Sequence, residues 1–221
     1  MIIALLTLPL SLLGMQQQGS PIAARLAGRV PPDVVALVEE LGTAAATRGL
    51  PVDPLIQKAI EGSAKGVPSD RVAAALRLVV AQLGTAAAAL QDAGVVSDTL
   101  VIAAGGFAVT AGLSGHDITA LARTGASVPA LTVGLRVAGT LAAMGVPSAE
   151  NIGLISTKLR SGQPTDDLLL VPAHVQAEIA RGVTPAQAAA GLERAAAAQA
   201  RRGPPPSRGT PPPHPPTPPH P

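Results

Sequence analysis

A short motif recurs seven times along the chain and divides it into segments of helical length. The motif reads glycine, usually an apolar residue, then Pro, Ser or Thr, and in six copies an acidic residue follows closely. Glycine takes the left-handed conformation that ends a helix. Ser, Thr or Asp caps the next helix, Pro suits its first position, and the acidic residue faces the positive end of the helix dipole. The glycines are Gly49, Gly66, Gly94, Gly112, Gly145, Gly162 and Gly182.

Between these motifs, apolar residues recur at spacings of three and four, which predicts amphipathic helices. We expect an all-α fold made of about nine short helices in helical hairpins, either stacked as a solenoid or closed as a bundle. Pro172 is expected to kink or split the eighth helix because it removes a backbone donor. The predicted helices are 32–47, 52–64, 69–92, 97–110, 115–124, 129–143, 148–160, 165–180 and 185–201.

The composition restricts both the core and the chemistry. The chain is 47% hydrophobic but has no Cys, Trp or Tyr, and its only Phe is Phe107. Disulfide scaffolds and thiolate sites are therefore excluded, and an aromatic platform for single-stranded nucleic acid is not available. The core must be aliphatic. The most apolar stretch outside the N-terminus, 101–112, predicts a buried central helix, with lipid contact as the alternative.

The two ends of the chain differ from its middle. Residues Ile2–Leu13 are almost wholly apolar and too short to span a bilayer, which favours a signal peptide over 1–20 that is cleaved between Gly14 and Ala24. A membrane anchor and a buried first helix remain the alternatives. Residues 30–202 form the predicted helical domain. Eleven of the 18 residues from Pro204 are Pro, so 203–221 is predicted to be a disordered tail.

Charge is nearly balanced over most of the chain. Through Leu192 there are 12 basic and 13 acidic residues, and the C-terminal end carries four Arg against one Glu. No helix presents a basic face, so the sequence does not favour nucleic-acid binding.

Two short clusters contain residue types that can bind a metal ion. His174 and Glu178 lie four residues apart on one helix face, and His116 with Asp117 could complete the site of a metal-dependent hydrolase. A simpler interpretation makes His116 and Asp117 the start of a helix after Ser114, and His174 with Glu178 a solvated i,i+4 pair. We therefore predict no catalytic, cofactor-binding or metal-binding residue.

A further charged cluster lies on the second predicted helix. Lys58, Glu61 and Lys65 have spacings of three and four, which predicts an ion-paired face in contact with solvent.

The segment from Gly49 to Val72, GLPVDPLIQKAIEGSAKGVPSDRV, can be aligned with the segment from Gly145. The two segments share mainly their glycine and proline positions. This alignment indicates two duplicated halves, with convergence of turn residues as the alternative. This stretch, over roughly residues 49–90, resembles uncharacterised exported helical proteins of bacteria with GC-rich genomes. The resemblance implies export and a helical fold, but no activity or cofactor.

These observations favour an exported, periplasmic or extracellular, non-enzymatic protein of the cell envelope. Its helices would present a surface to a protein partner, and membrane contact would be confined to the N-terminal segment. The alternatives are the metal-dependent hydrolase and a protein anchored by an uncleaved N-terminus.

The export hypothesis predicts the position of the mature N-terminus. N-terminal sequencing of the protein recovered from the periplasm or medium should begin between Gly14 and Ala24. Recovery of the protein in the cytosol with Met1 intact would contradict export.

Overall fold

The computed structural model describes residues 20–96, 98–162 and 164–202, and these ranges are helical with no strand. The all-α prediction is confirmed. The predicted signal peptide and proline-rich tail lie, in all but residue 20, outside the described residues. The helices in these ranges are α1 (Pro21–Leu26), α2 (Pro32–Thr47), α3 (Asp53–Ala64), α4 (Ser69–Asp92), α5 (Thr99–Thr110), α6 (Gly115–Ala122), α7 (Val128–Ala143), α8 (Ser148–Arg160), α9 (Thr165–Leu169), α10 (Val171–Ala180) and α11 (Pro185–Arg202).

The motif glycines end helices as predicted. All seven have positive φ, between 63° and 108°. In several turns the apolar residue after the glycine donates its backbone N–H to a carbonyl five residues earlier, as Val67 does to Gly62 and Val146 does to Leu141, both at 3.0 Å. This is the Schellman arrangement, so the apolar residue closes the preceding helix.

Helix starts follow the capping residues. The Asp98 carboxylate accepts the N–H groups of Leu100 and Val101 at 2.9 and 3.0 Å, which fixes the start of α5.

The predicted effect of Pro172 is also confirmed. One expected helix over 165–180 becomes α9 and α10, with Leu170 between them.

Helix α1 was not predicted. The Ser20 hydroxyl accepts the N–H of Ala23 at 3.1 Å, and Pro21 stands at the first helical position. The same Ser-Pro pattern that predicts other helix starts is therefore present here.

The described part of the chain divides into two compact units. The first contains 20–48 and 52–80, and the second contains 49–51 and the described residues from Ala81 to Arg202. In the first unit α1, α2 and α3 pack against one another. Leu26, Val38 and Leu55 are fully buried there. The core of this unit is aliphatic, as the composition requires.

In the second unit, α7 has the most helix neighbours. It contacts α5, α6, α8, α9 and α10, while α11 packs on α8 and α10. In a solenoid of helical hairpins each hairpin contacts the next one along the chain. The contacts of α5 with α7 and of α8 with α11 join successive hairpins in this way, so they fit a stack of hairpins as well as a closed bundle.

Small residues allow helices of the second unit to approach closely. Gly139 of α7 lies beneath Phe107 and Ala108 of α5. A Cβ at Gly139 would come within 2.7 Å of the Phe107 ring and 3.1 Å of the Ala108 Cα. A Cβ at Gly106 would similarly lie 2.6 Å from Leu83 Cδ2. The glycine and alanine content of these segments therefore has a packing role.

The two segments aligned as a repeat form comparable helix–turn–helix pairs, α3 with α4 and α8 with α9. They then diverge, because α4 has 24 residues and α9 has five. Duplication of the halves stays a prediction.

Replacing Gly139 by Ala should destabilise the fold. The added methyl would overlap the Phe107 ring and the α5 backbone, and such overpacking costs about 1–3 kcal/mol of unfolding free energy. Gly191→Ala in α11 is the matched control, since a Cβ there meets nothing within 4 Å. It should stabilise the protein by about 0.5–1 kcal/mol. Urea unfolding followed by circular dichroism measures both, and equal effects of the two substitutions would contradict the close approach.

Candidate functional site

The four residues considered as metal ligands do not form a metal-binding group. His116 and Asp117 lie in the first turn of α6, and His174 and Glu178 lie on α10. Across 20–96, 98–162 and 164–202, no three His, Cys, Asp or Glu side chains are close enough together to hold one ion. His116 and His174 are exposed to solvent.

Asp117 holds a helix start and joins two helices. Its Oδ2 accepts the backbone N–H and the hydroxyl of Ser114 at 2.9 and 2.8 Å, and its own N–H donates to Ser114 Oγ at 3.2 Å. This reciprocal pair is a capping box. Its Oδ1 accepts the hydroxyl of Ser148 at 2.8 Å, which links α6 to the start of α8. The interpretation of Asp117 as a helix-start residue agrees with this geometry.

These contacts also set the ionisation of Asp117. Partial burial disfavours the charged form, but the hydrogen bonds from Ser114 and Ser148 and the nearby His116 outweigh it. Together they lower the pKa of Asp117 below 3.8. The group is therefore a carboxylate across the physiological range and serves as a hydrogen-bond acceptor.

The predicted ion pairs are partly confirmed. Glu61 binds both Lys58 and Lys65, and these hydrogen bonds and charges lower the pKa of Glu61 to about 2. Glu178 instead forms an i,i+3 pair with Arg181, a partner that the sequence reasoning did not name. The acidic residues of both clusters thus have basic partners on their own helix or the turn after it.

A group of exposed apolar side chains lies along α5 and the turn before it. Val96, Leu100 and Phe107 are 91%, 63% and 47% exposed. Leu100 and Phe107 are seven residues apart, which places them on one side of the helix. We call these three residues the α5 apolar face. The prediction that 101–112 is a buried central helix holds for Val101, Ile102 and the residues at 104–106 and 108, but not for Phe107.

The second unit also contains a cleft of about 420 Å³ where the α6–α7 turn meets the end of α8 and the start of α9. We call it the α8 cleft. Lys158 and Arg160 are among its lining residues, and none of the lining residues that the structure describes is acidic. Its other lining residues are Thr124, Gly125, Ala126, Ser127, Ala130, Leu159, Gly162, Pro164, Thr165 and Leu168.

A cleft of about 440 Å³ in the first unit has a different character. It is lined by Arg25, Arg29 and Glu61 together with Ile56, Gln57 and Ile60. Arg25 pairs with Asp53, and Glu61 is engaged by its two lysines. The charges of this cleft are thus largely compensated by partners within the unit.

Among the described helices, α4 alone has the length and apolar composition of a membrane-spanning helix. The core helix of a water-soluble protein passes the same test, and α4 buries Leu76, Leu83 and Leu90. Confinement of membrane contact to the N-terminal segment stays a prediction.

No protein-family model, curated protein or solved structure matches the chain. The functional argument therefore depends on the surfaces and clusters described above.

Sequence reasoning did not find the α5 apolar face or the α8 cleft. The exposed positions of α5 carry no polar signal, and the cleft joins residues more than thirty positions apart.

Replacing Asp117 by Asn should lower the unfolding free energy at pH 7 by about 1–2 kcal/mol, because the capping box and the Ser148 bond lose their carboxylate. Folding lowers the pKa of Asp117. The contribution of the carboxylate to the unfolding free energy is therefore complete above the pKa of the unfolded chain, and it is lost as pH falls through the lower pKa of the folded chain. The gap between wild type and variant should therefore begin to narrow below about pH 3.9 and close only below the lower pKa of the folded protein.

Chemical unfolding at several pH values measures this gap. Asp33→Asn is the control, since Asp33 is an exposed first-turn residue of α2 and should change stability by less than about 0.5 kcal/mol. A pH-independent gap for Asp117→Asn would contradict the role of the carboxylate.

Proposed function

We propose that this protein is an exported, non-enzymatic module of the cell envelope that binds a protein partner through the α5 apolar face. The observation that carries the proposal is the exposure of Val96, Leu100 and Phe107 on one helix and the turn before it, where no charged residue is present in the helix. Large apolar side chains grouped on one surface are typical of interaction sites. Full burial of one such side chain contributes about 1.5–3 kcal/mol.

The chemistry of α5 defines the kind of partner. No charged residue occurs in Thr99–Thr110, so the face offers no ion pair to a ligand. One side of its Phe107 ring packs against Gly139 of α7, and about half of the side chain remains exposed. A partner that presents aliphatic or aromatic side chains, for example on an amphipathic helix, matches this surface.

The structural roles of the polar residues support a non-enzymatic function. Asp117 caps α6 and binds Ser148, Glu178 pairs with Arg181, and Glu61 pairs with two lysines. Each of these carboxylates is accounted for by a structural contact. In this proposal the proline-rich residues 203–221 act as a spacer or second contact, and the N-terminal segment directs export.

The α5 face predicts a position-specific partner contact. A photoreactive side chain introduced at Leu100 should give a discrete crosslinked product in the native envelope. The same group at Leu78 of α4 should not, although Leu78 is also exposed, at 58%. Identical products from both positions, or none from Leu100, would contradict the proposal.

A pair of substitutions tests the same face without a crosslinker. Val96→Ser with Leu100→Ser should abolish recovery of the partner identified above, because it removes the two most exposed members of the face. Leu78→Ser should retain it. Thermal unfolding of both variants should remain close to wild type, since the altered side chains are largely in solvent. Deletion of 203–221 tests the tail separately, and unchanged recovery would remove it from the proposal.

A further inference from the structure

The cleft of the first unit is formed by α1, the turn after it, and one side of α3, and we call it the α3 cleft. Its volume is about 440 Å³. The residues between Arg25 and Arg29 and those between Ile56 and Glu61 all belong to the described part of the chain. The lining residues are Arg25, Arg29, Ile56, Gln57, Ile60 and Glu61. The cleft therefore has one basic side and, from α3, one side that is partly apolar.

The α3 side of the cleft presents an aliphatic surface. Ile56 and Ile60 are four residues apart, which places them on one side of the helix. Ile56 is almost fully buried and Ile60 is half-buried. Gln57 is exposed beside them, and its side-chain amide makes no hydrogen bond within the described ranges. An aliphatic chain in the cleft can therefore contact two isoleucines, while the amide can donate to a polar group of the same ligand.

Arg29 supplies a positive charge that has no partner in the described ranges. Arg25 pairs with Asp53, whereas the Arg29 guanidinium makes no hydrogen bond or ion pair there. The backbone of Arg29 is held in the turn, since its N–H donates to the carbonyl of the fully buried Leu26 at 3.0 Å. A guanidinium can bind a carboxylate through two parallel hydrogen bonds. Arg29 is thus available to an anionic ligand.

The acidic residues close to the cleft do not cancel the charge of Arg29. Glu61 lines the cleft, but Lys58 and Lys65 both bind its carboxylate, so two positive charges stand against one negative charge. Asp33 follows Arg29 by four residues, but it is exposed, does not line the cleft and does not pair with Arg29. The remaining charge is positive, which favours an anion.

We propose that the α3 cleft binds a small free aliphatic monocarboxylate. Arg29 and the amide of Gln57 hold the carboxylate, and Ile56 and Ile60 contact the aliphatic chain. One unpaired guanidinium matches a single carboxylate. A cleft of about 440 Å³ has room for a chain of several carbons. This site belongs to the first unit and the α5 apolar face to the second, so its failure would leave the proposed function intact.

Titration of the full chain with hexanoate, followed by carbon–proton correlation spectra of the isoleucine methyl groups, tests the proposal. At fixed ionic strength, hexanoate should shift the methyl signals of Ile56 and Ile60 in a saturable manner. Acetate keeps the carboxylate but lacks the chain, so its half-saturating concentration should be at least about tenfold higher. Hexylammonium has the same chain with the opposite charge and should cause no saturable shift.

Substitution of Arg29 tests how the carboxylate is held. Arg29→Ala should raise the half-saturating hexanoate concentration at least about tenfold, and Arg29→Lys should retain part of the affinity because the charge remains without the fork. Arg77→Ala is the matched control, since it removes one exposed positive charge of α4 in the same unit but outside the cleft. It should change the affinity by no more than about twofold. Circular dichroism confirms that each variant is folded.

Three outcomes would overturn the proposal. It is wrong if hexanoate causes no saturable shift of the Ile56 and Ile60 signals, or if acetate or hexylammonium binds as tightly as hexanoate. It is also wrong if Arg77→Ala weakens binding as much as Arg29→Ala. Tighter binding of acetyl-leucine than of hexanoate would identify a peptide C-terminus as the ligand and would contradict a free aliphatic acid.

Discussion

The contact of Phe107 and Ala108 with Gly139 determines how the second unit is built. A chain with one aromatic residue and an aliphatic core gains little from any single side chain, so its helices must approach closely. Gly139 allows the α5 backbone to lie against α7, and Gly105 and Gly106 allow the same approach to the Ala86–Leu83 side of α4. Since α7 also contacts α6, α8, α9 and α10, its contact with α5 is central to the packing of this unit.

The α5 apolar face follows from this packing. Burying the glycine and alanine side of α5 leaves Leu100 and Phe107 turned outward, which gives the unit its apolar face. The α8 cleft lies beside two glycine turns, since Gly125 precedes α7, Gly162 follows α8, and both line the cleft. Asp117 and Ser148 link α6 to α8 by a hydrogen bond of 2.8 Å, so the short α6 is held by a polar contact as well as by its apolar side.

Local structure could be predicted from the sequence more fully than the surfaces. The end of a helix depends on residues within one turn, so Gly145 and Pro172 each indicate a helix boundary by themselves. The predicted helix 32–47 accordingly agrees with α2 at both ends. The packing of one hairpin on the next depends on contacts between distant segments and has no local signal. Helix α5 is apolar on all sides, so periodicity could not show that Leu100 would be exposed. The α8 cleft joins 124–130 to 158–168, and only the fold brings these residues together.

The packing of Phe107 on Gly139 can be observed directly. Apart from the four histidines, Phe107 is the only source of aromatic side-chain proton signals in the chain, so its nuclear Overhauser contacts can be assigned without ambiguity once the histidines are identified. The structure predicts contacts between the Phe107 ring protons and the Gly139 Hα protons, with a ring-current shift of those Hα signals away from their usual position. Ring contacts to other residues, with none to Gly139 and no shift of its Hα protons, would contradict this account of the fold.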